Sequence, residues 1–160
     1  MAVELRVMRD DEFADWLPRA CEDYADIMAR YGGADVEAAR AKARRDSELL
    51  FPGGLPSAEQ LVFVIEADGE RVGELWLAVR DGELGRLLYV WDIRVDEQHR
   101  GRGLGRQAML FAEEEARRRG LTDIALTVMG GNETARRLYR SLGYTETTVT
   151  MKKTVPREPE

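Results

Sequence analysis

Two side chains that often carry chemistry are almost absent from this sequence. The chain of 160 residues has one cysteine, Cys21, and one histidine, His99. A single cysteine cannot form an internal disulfide, and these two residues cannot supply the ligand cluster of a zinc site. We therefore expect no metal site, and we interpret Cys21 as a core residue because it shares a helical side with Leu17 and Tyr24.

Long hydrophobic runs and an excess of positive charge are also lacking. No apolar segment approaches the roughly 18–20 residues that span a bilayer, and the opening "MAVELRVMRDDEF" carries acids where a targeting segment would be apolar. We expect a cytoplasmic protein that does not contact membranes. Acidic residues outnumber Lys and Arg by 30 to 24, giving a net charge of −6, which argues against nucleic-acid binding and favours a cationic partner.

The order of predicted elements indicates an α/β protein with a mixed sheet (α+β). A short strand at residues 3–8 precedes two helices, and the strand runs "QLVFVIEA" and "RVGELWLAV" are joined by the tight-turn pair Asp68-Gly69. After them come the strand "LGRLLYVWDIRV", a helix, the strand "DIALTV", the helix "NETARRLYRSL" and a closing strand "YTETTVTMKKTV". We expect one domain over residues 1–155 and a disordered tail at 156–160.

A glycine-rich stretch, "VDEQHRGRGLGRQ", stands between the long third strand and the following helix. Glycines allow a sharp turn and expose backbone N–H groups, and the first N–H groups of the helix point the same way. The helix dipole favours an anion at this position, and the neighbouring arginines add positive charge. The pattern predicts a phosphate or pyrophosphate site, and the alternative is a glycine-rich turn with solvated arginines. The glycines are Gly101, Gly103 and Gly105, and the arginines are Arg100, Arg102 and Arg106.

Two common phosphate-binding motifs do not fit this stretch. A P-loop needs Lys-Ser or Lys-Thr after its glycines, and neither pair follows here. A dinucleotide-binding fold needs G-x-G-x-x-G early in a βαβ unit, whereas this spacing is G-x-G-x-G and comes after antiparallel strands. These mismatches argue against nucleoside triphosphates, nicotinamide dinucleotides and flavins.

Two motifs in the second half resemble those of the GCN5-related N-acetyltransferase (GNAT) superfamily. Arg100-x-x-Gly103-x-Gly105 is similar to the family's acetyl-coenzyme A motif Q/R-x-x-G-x-G/A, and "NETARRLYRSLGY" is similar to N-x-x-A-x-x-L-Y-x-x-x-G-[FY]. The resemblance covers Leu88 to Tyr144 and fades over residues 1–60. It implies a GNAT-like fold, in which a central, twisted, largely antiparallel sheet contains a parallel, splayed strand pair and is flanked by helices.

The resemblance also implies acetyl-CoA as a cosubstrate and a set of residues that bind it. The pyrophosphate would lie on the N–H groups of Arg100, Gly101, Arg102, Gly103, Leu104, Gly105 and Arg106. The pantetheine arm would pair, like an added strand, with the backbone of Ile93, Arg94 and Val95. In the family this strand carries a bulge, and one of its N–H groups polarises the thioester carbonyl. The second motif would contribute Asn132, Ala135 and Tyr139.

Three side chains are candidate catalytic groups. By the resemblance, Tyr139 protonates the departing thiolate, although a packed core tyrosine is the alternative. An alkyl ammonium acceptor must lose a proton before it can attack, and Asp92 is the first candidate for the base because it is an acid within an apolar strand. The alternative for Asp92 is an ion pair with Arg94 on the same strand face. Glu74 is the second candidate, with a solvated strand position as its alternative.

Other polar and aromatic residues have two interpretations at this stage. Asn132 follows two glycines and precedes a helix, so it is also a candidate N-cap. The aromatic residues Trp76, Tyr89 and Trp91 line either the acceptor pocket or the core. We expect His99 to be an exposed loop residue beside the phosphate site.

The resulting hypothesis is an N-acetyltransferase that moves an acetyl group from acetyl-CoA to a primary amine by direct attack in a ternary complex. The acceptor amine is that of a small molecule, a peptide or a protein. The alternative is a non-catalytic acyl-CoA-binding regulatory protein with the same fold. Neither hypothesis involves nucleic acid, and the closing strand could pair across a two-fold axis in a homodimer.

Overall fold

A computed structural model describes the whole chain from Met1 to Glu160. Its strands are β1 (Val3–Val7), β2 (Gln60–Ala67), β3 (Glu70–Gly82), β4 (Gly85–Val95) and β5 (Ile124–Leu126). Its α-helices are α1 (Asp10–Gly32), α2 (Val36–Leu50), α3 (Leu104–Arg118) and α4 (Glu133–Ser141), and short 3₁₀ turns occupy Pro52–Gly54 and Glu97–His99. No helix is both long and apolar enough to cross a bilayer.

The five strands form one mixed sheet in the order β1-β2-β3-β4-β5. Neighbouring strands are antiparallel except for β4 and β5, which are parallel. Asp68 and Gly69 join β2 to β3 with φ angles of 51° and 81°, the positive values that a tight hairpin turn requires. The predicted mixed sheet with flanking helices and a parallel strand pair is therefore confirmed.

Each face of the sheet is covered by helices. On one face, α3 packs its buried stripe, including Leu104, Ala108 and Met109, against the inward side chains of β2, β3 and β4. On the other face, α1 inserts Phe13 and Trp16 between the sheet and Phe51, with Val62 and Val64 beneath them. Burying one such large side chain contributes about 1.5–3 kcal/mol, so both layers hold the sheet firmly.

An irregularity at Trp91 divides β4 into a first part, which pairs with β5, and a second part, which does not. Trp76 of β3 is opposite Asp92, but the next residue, Leu77, is opposite Val90, so Trp91 is an extra residue in the strand. The pairing of β4 with β5 covers only Leu88–Val90. From Asp92 to Val95 the strand is paired with β3 on one edge and has no strand on the other.

The closing strand predicted from "YTETTVTMKKTV" is wrong. Residues 145–160 form no strand, and all of them are exposed. Glu146 is held on α4 by Arg136 at 2.5 Å and Arg140 at 3.0 Å, and the backbone after it makes no hydrogen bond. The alternation of apolar residues in this segment suits a strand, but a strand forms only beside another strand. The segment does not lie along β5 of its own chain, so it has no strand to pair with. The preceding strand is also shorter than "DIALTV", because β4 and β5 separate after Val90.

Candidate active site

The glycine-rich loop presents a row of free backbone donors. Gly101 and Gly103 have φ angles of 78° and 76°, in the left-handed region that only glycine adopts easily, and no atom lies within 4 Å of where their Cβ atoms would be. The backbone N–H groups of residues 101–106 donate no hydrogen bond within the protein. Since α3 begins at Leu104, its dipole adds partial positive charge. The loop is shaped to receive an anion with several oxygens.

The three arginines of this loop lack acidic partners. The Nε of Arg100 donates to the carbonyl of Val95 at 2.9 Å, which ties the loop to the end of β4. Arg106 donates to the hydroxyl of Ser141 at 3.0 Å, which ties the start of α3 to the end of α4. Arg102 is exposed and forms no ion pair. The charge around the N–H row is therefore positive and uncompensated.

His99 is buried rather than exposed, so the expectation of a solvated loop residue is wrong. The 3₁₀ turn Glu97–His99 folds the imidazole inward, leaving the residue 8% exposed, with Nε2 3.5 Å from a carboxylate oxygen of Glu70. The contact joins the segment before the glycine loop to the start of β3. His99 therefore helps to fix the start of the glycine-rich loop against β3.

The free edge of β4 lies next to the glycine-rich loop along the chain. Ile93 and Val95 pack toward the α3 side, while Arg94 is opposite Glu74 on the α1 side. Because β5 has already diverged, the polar groups on this edge have no neighbouring strand. An extended ligand with amide groups can bind there as a peptide does in strand addition. The carbonyl oxygen of Val95 already accepts a hydrogen bond from Arg100, so a ligand on this edge would share that oxygen with Arg100.

The helix α4 brings the second motif to the same region. The side chain of Asn132 accepts a hydrogen bond from the N–H of Ala135 at 3.3 Å, so the N-cap interpretation holds. Tyr139 packs against the α3-side core, and its ring centroid is 5.9 Å from that of Tyr144. Burial, and secondarily the charge of Asp92, raises the pKa of Tyr139 to about 12, so the phenol stays protonated at neutral pH.

Asp92 is a half-buried carboxyl beside the strand gap. Burial raises its pKa to about 6, and the negative charges of Asp23 and Glu74 contribute to the increase. Asp92 forms no ion pair with Arg94, whose guanidinium instead approaches Asp96, Glu74 and Asp23 at 3.3, 3.6 and 3.8 Å. A carboxyl with a pKa near neutrality can accept a proton from an amine and release it again to water.

Glu74 is buried, at 4% exposure, so its alternative as a solvated strand residue is wrong. Its Oε1 accepts hydrogen bonds from Arg19 at 2.5 Å and Arg71 at 2.7 Å. Its Oε2 has no hydrogen-bond partner and faces Arg94 at 3.6 Å. The three guanidinium groups hold Glu74 in a charged cluster between α1 and the sheet.

Sequence reasoning missed the contribution of α1 to this site. Arg19 and Asp23 are four residues apart on the helix, so they share one face and reach Glu74 and Arg94 together. A signal was present, because these charges stand on the same side as the buried Trp16 and Ala20 in an otherwise apolar stripe. Charged residues inside a core-facing stripe indicate a buried charge cluster or a site.

The aromatic candidates divide between the core and the site. Trp76 belongs to the α1-side core and donates from Nε1 to Gln60 at 2.8 Å. Trp91, the extra residue of β4, stacks on Trp76 with centroids 5.4 Å apart, and its own Nε1 has no partner. Tyr89 donates to Thr127 at 2.7 Å, and Arg80 lies 4.1 Å above its ring. Trp91 is thus the aromatic residue adjacent to Asp92.

Comparison with known proteins decides the family. The model of the acetyltransferase (GNAT) family matches residues 13–144. The chain belongs to the GNAT family. It is an acyltransferase by that membership, and the resemblance seen in the two motifs is confirmed over most of the chain. The match also includes α1, where the motif resemblance had faded.

Two relatives of this GNAT protein are similar over nearly their whole length, and a third is similar over about half of its length. The uncharacterized N-acetyltransferases YycN and YdgE of Bacillus subtilis are 28% and 30% identical, each over 96% of this chain and over 99% and 98% of their own length. A crystal structure of YycN superimposes with a TM-score of 0.88, covering 98% of this chain and all of that one. A mycothiol acetyltransferase of Thermobispora bispora is 40% identical over 88% of this chain, which spans 45% of that relative.

Proposed function

We propose that this protein transfers the acetyl group of acetyl-CoA to a primary amine by direct attack in a ternary complex. The observation that carries the proposal is the junction of two unsatisfied backbone surfaces, the N–H row of residues 101–106 and the free edge of β4 after Val90. Together they match a ligand that has a pyrophosphate at one end and an amide-containing arm at the other. Coenzyme A has that composition.

The residues of both surfaces would hold the cosubstrate in a fixed direction. Gly101 and Gly103 leave open space where side chains would block the phosphates, and Arg100, Arg102 and Arg106 supply positive charge. Residues Ile93–Val95 would pair with the pantetheine amides, and Asn132 and Ala135, at the start of α4, would contribute further contacts. A backbone N–H of this strand would stabilise negative charge on the thioester oxygen.

Asp92 is the proposed base and Tyr139 the proposed acid. Asp92 would take a proton from the ammonium form of the acceptor, directly or through one water, and free the nitrogen lone pair for attack on the acetyl carbon. As the carbon–nitrogen bond forms, the nitrogen would lose its second proton to water, and as the carbon–sulfur bond breaks, Tyr139 would donate its phenolic proton to the leaving sulfur. The tyrosine would recover a proton from solvent, and Asp92 would lose its own to solvent.

The acceptor site is the α1 side of β4, where three carboxylates lie near the strand gap. Asp23, Glu74 and Asp92 all contribute to the negative potential there, which favours a positively charged amine over a neutral one. Trp91 provides an apolar wall next to Asp92. Glu74 has a different role from the one first assigned, because its contacts with Arg19 and Arg71 make it a positioning residue more than a base.

Calorimetry with acetyl-CoA, followed by a thiol-release assay against a panel of amines, tests the proposal. The panel should contain polyamines, aminoglycosides and lysine peptides. Micromolar binding together with amine-dependent thiol release would support transfer. Binding without release for any amine would favour the alternative, a non-catalytic acyl-CoA-binding regulator, and absence of binding would overturn both.

A further inference from the structure

The space over Asp92 on the α1 side of the sheet is limited on two sides by contacts of β4. The hydroxyl of Tyr89 donates to the hydroxyl of Thr127 at 2.7 Å, at the point where the chain leaves β5. Further along the strand, the guanidinium of Arg94 approaches a carboxylate oxygen of Asp23 on α1 at 3.8 Å. Asp92 lies on β4 between these two contacts, so an acceptor that reaches it from this side must pass between them.

The third side is formed where the segment after β5 crosses to α1. Met129 packs against the buried cluster that contains Met28. Two residues later, the backbone of Gly131 lies so close to α1 that an added Cβ atom would be 3.1 Å from the ring of Tyr31. The space over the proposed base is therefore bordered by β4, by α1 and by residues 127–131. We refer to this space as the acceptor opening.

Ile27 is the apolar residue of α1 that lies over the acceptor opening. It falls between Asp23, which reaches β4, and Met28, whose cluster holds Met129. It also follows Trp16 by eleven residues, about three helical turns, so both side chains point toward the sheet. Trp16 is buried there, whereas Ile27 is half-buried and packs against none of the three buried clusters. The apolar surface of Ile27 therefore has no core residue to cover it.

The border formed by β4 carries a second apolar side chain, Trp91. Its indole stacks on Trp76, which packs against the α1-side core, so the half-buried ring faces α1 next to Asp92. Apolar side chains thus stand on two borders of the acceptor opening, and carboxylates stand at its inner end. This arrangement suits a ligand that is apolar along its length and cationic at its tip.

The inference rests on the transfer reaction proposed above: we propose that Ile27 and Trp91 make the enzyme specific for a primary amine at the end of an unbranched aliphatic chain. Lysine side chains and linear alkylamines belong to this class. The methylene groups of the acceptor would pack between Ile27 and Trp91 while its nitrogen reaches Asp92. An amine attached directly to a ring is wider at the carbon that bears the nitrogen, and the contact of Tyr31 with Gly131 opposes the widening that would admit it.

The first experiment measures kcat/KM for linear primary amines from ethylamine to hexylamine and for cyclohexylamine. These amines have nearly equal basicity, so differences report contacts of the carbon chain. For the wild type, kcat/KM should rise about fourfold with each added methylene, because each one leaves water for an apolar wall. Cyclohexylamine has as many carbons as hexylamine and should react at least about tenfold less efficiently. Equal values for ethylamine and hexylamine, or for hexylamine and cyclohexylamine, would overturn the proposal.

Ile27→Ala removes one wall of the acceptor opening. The variant should reduce kcat/KM for hexylamine by about tenfold and leave the value for ethylamine within about twofold. Leu17→Ala is the matched control, since it shortens an α1 side chain that packs against the core around Phe13. The control should lower stability and keep the full dependence on chain length. If Ile27→Ala keeps that dependence as well, Ile27 does not contact the acceptor and the proposal fails.

Methyl NMR of Ile27 separates this inference from the transfer reaction itself. Hexylamine should shift the Ile27 methyl resonances of the free protein, and cyclohexylamine at the same concentration should not. These shifts without thiol release for any amine would refute transfer and support the acceptor opening. Equal thiol release for all amines, without shifts, would support transfer and refute the specificity. Absence of both shifts and thiol release would refute both proposals.

Discussion

Glu74 and Arg94 occupy facing positions on β3 and β4, and their side chains approach to 3.6 Å without a hydrogen bond. The carboxylate is buried and is held mainly by Arg19 of α1 and Arg71 of its own strand. The pair thus links the helix that borders the proposed acceptor site to the strand that borders the proposed cosubstrate site. We therefore expect loss of this pair to lower the free energy of unfolding more than it lowers the rate of catalysis.

Replacing Glu74 with Gln should destabilise the protein without removing the proton acceptor. The change leaves three guanidinium groups without their shared carboxylate, and because these groups are partly exposed we expect a loss of about 1–3 kcal/mol rather than the full cost of a buried charge. Urea unfolding measures the change. The control is Glu66→Gln, which removes a more exposed ion pair with Arg6 and should cost less than about 1 kcal/mol. Equal losses would contradict the buried-cluster interpretation.

Asp92→Asn should reduce turnover and increase stability at the same time. In the folded protein the pKa of Asp92 is raised to about 6, above its ordinary value of 3.8. The ionised carboxyl therefore opposes folding: its unfavourable contribution is absent at pH below about 4, grows as pH rises, and is complete above about pH 6. At pH 8 the amide should raise the melting temperature by several degrees. A melting temperature equal to that of the wild type would argue that the ionised carboxyl of Asp92 does not destabilise the folded protein.

The same residue should control the acidic limb of the rate profile. For the wild type, kcat/KM should fall as pH decreases through about 6, because Asp92 becomes protonated and cannot accept a proton. In Asp92→Asn this limb should disappear, whereas Asp81→Asn, at an exposed position of β3, should retain it. If the limb remains in Asp92→Asn, another group is the base.

Tyr139→Phe should lower kcat by about 10²-fold or more and leave acetyl-CoA affinity within about twofold, because a proton donor acts only as the bond to sulfur breaks. Tyr144→Phe is the matched control. Its hydroxyl is buried without a hydrogen-bond partner, so removing it should preserve kcat and not reduce stability. Steady-state rates and calorimetry on both variants separate the two roles. Full activity in Tyr139→Phe would remove this residue from the acid step.

Gly103→Val should abolish acetyl-CoA binding, because the side chain enters the space where the pyrophosphate would approach. Gly120→Val provides a control with the same backbone penalty, since the φ angles are 76° and 69° and neither position has a neighbour within 4 Å. Gly120 follows the far end of α3, so its variant should be destabilised to a similar degree and still bind. Calorimetry at a temperature where both variants are folded makes the comparison. Equal binding by both would place the phosphates elsewhere.

Local patterns predicted the order of the elements as far as α4, the hairpin at Asp68-Gly69, the glycine-rich turn before α3 and the N-cap at Asn132, since each depends on neighbours along the chain. Features that depend on distant contacts were missed. The burial of Glu74 requires α1 to lie across β3, and the position of His99 requires a contact with Glu70. The irregularity in β4 did leave a trace, because the apolar alternation runs through Leu88 and Val90 and then shifts by one residue to Ile93 and Val95.

The extra residue in β4 means that two consecutive side chains, Trp91 and Asp92, face the same side of the sheet, where a regular strand would offer one. Deleting Trp91 would let β4 pair evenly with β3 and would keep every remaining side chain on its present face. A single-codon deletion should therefore leave the sheet able to form, although it removes the packing of Trp91 on Trp76 and Tyr89. The deletion would also remove the register shift that stands directly after the last residue paired with β5. A variant at this position can therefore lose activity while its sheet still forms.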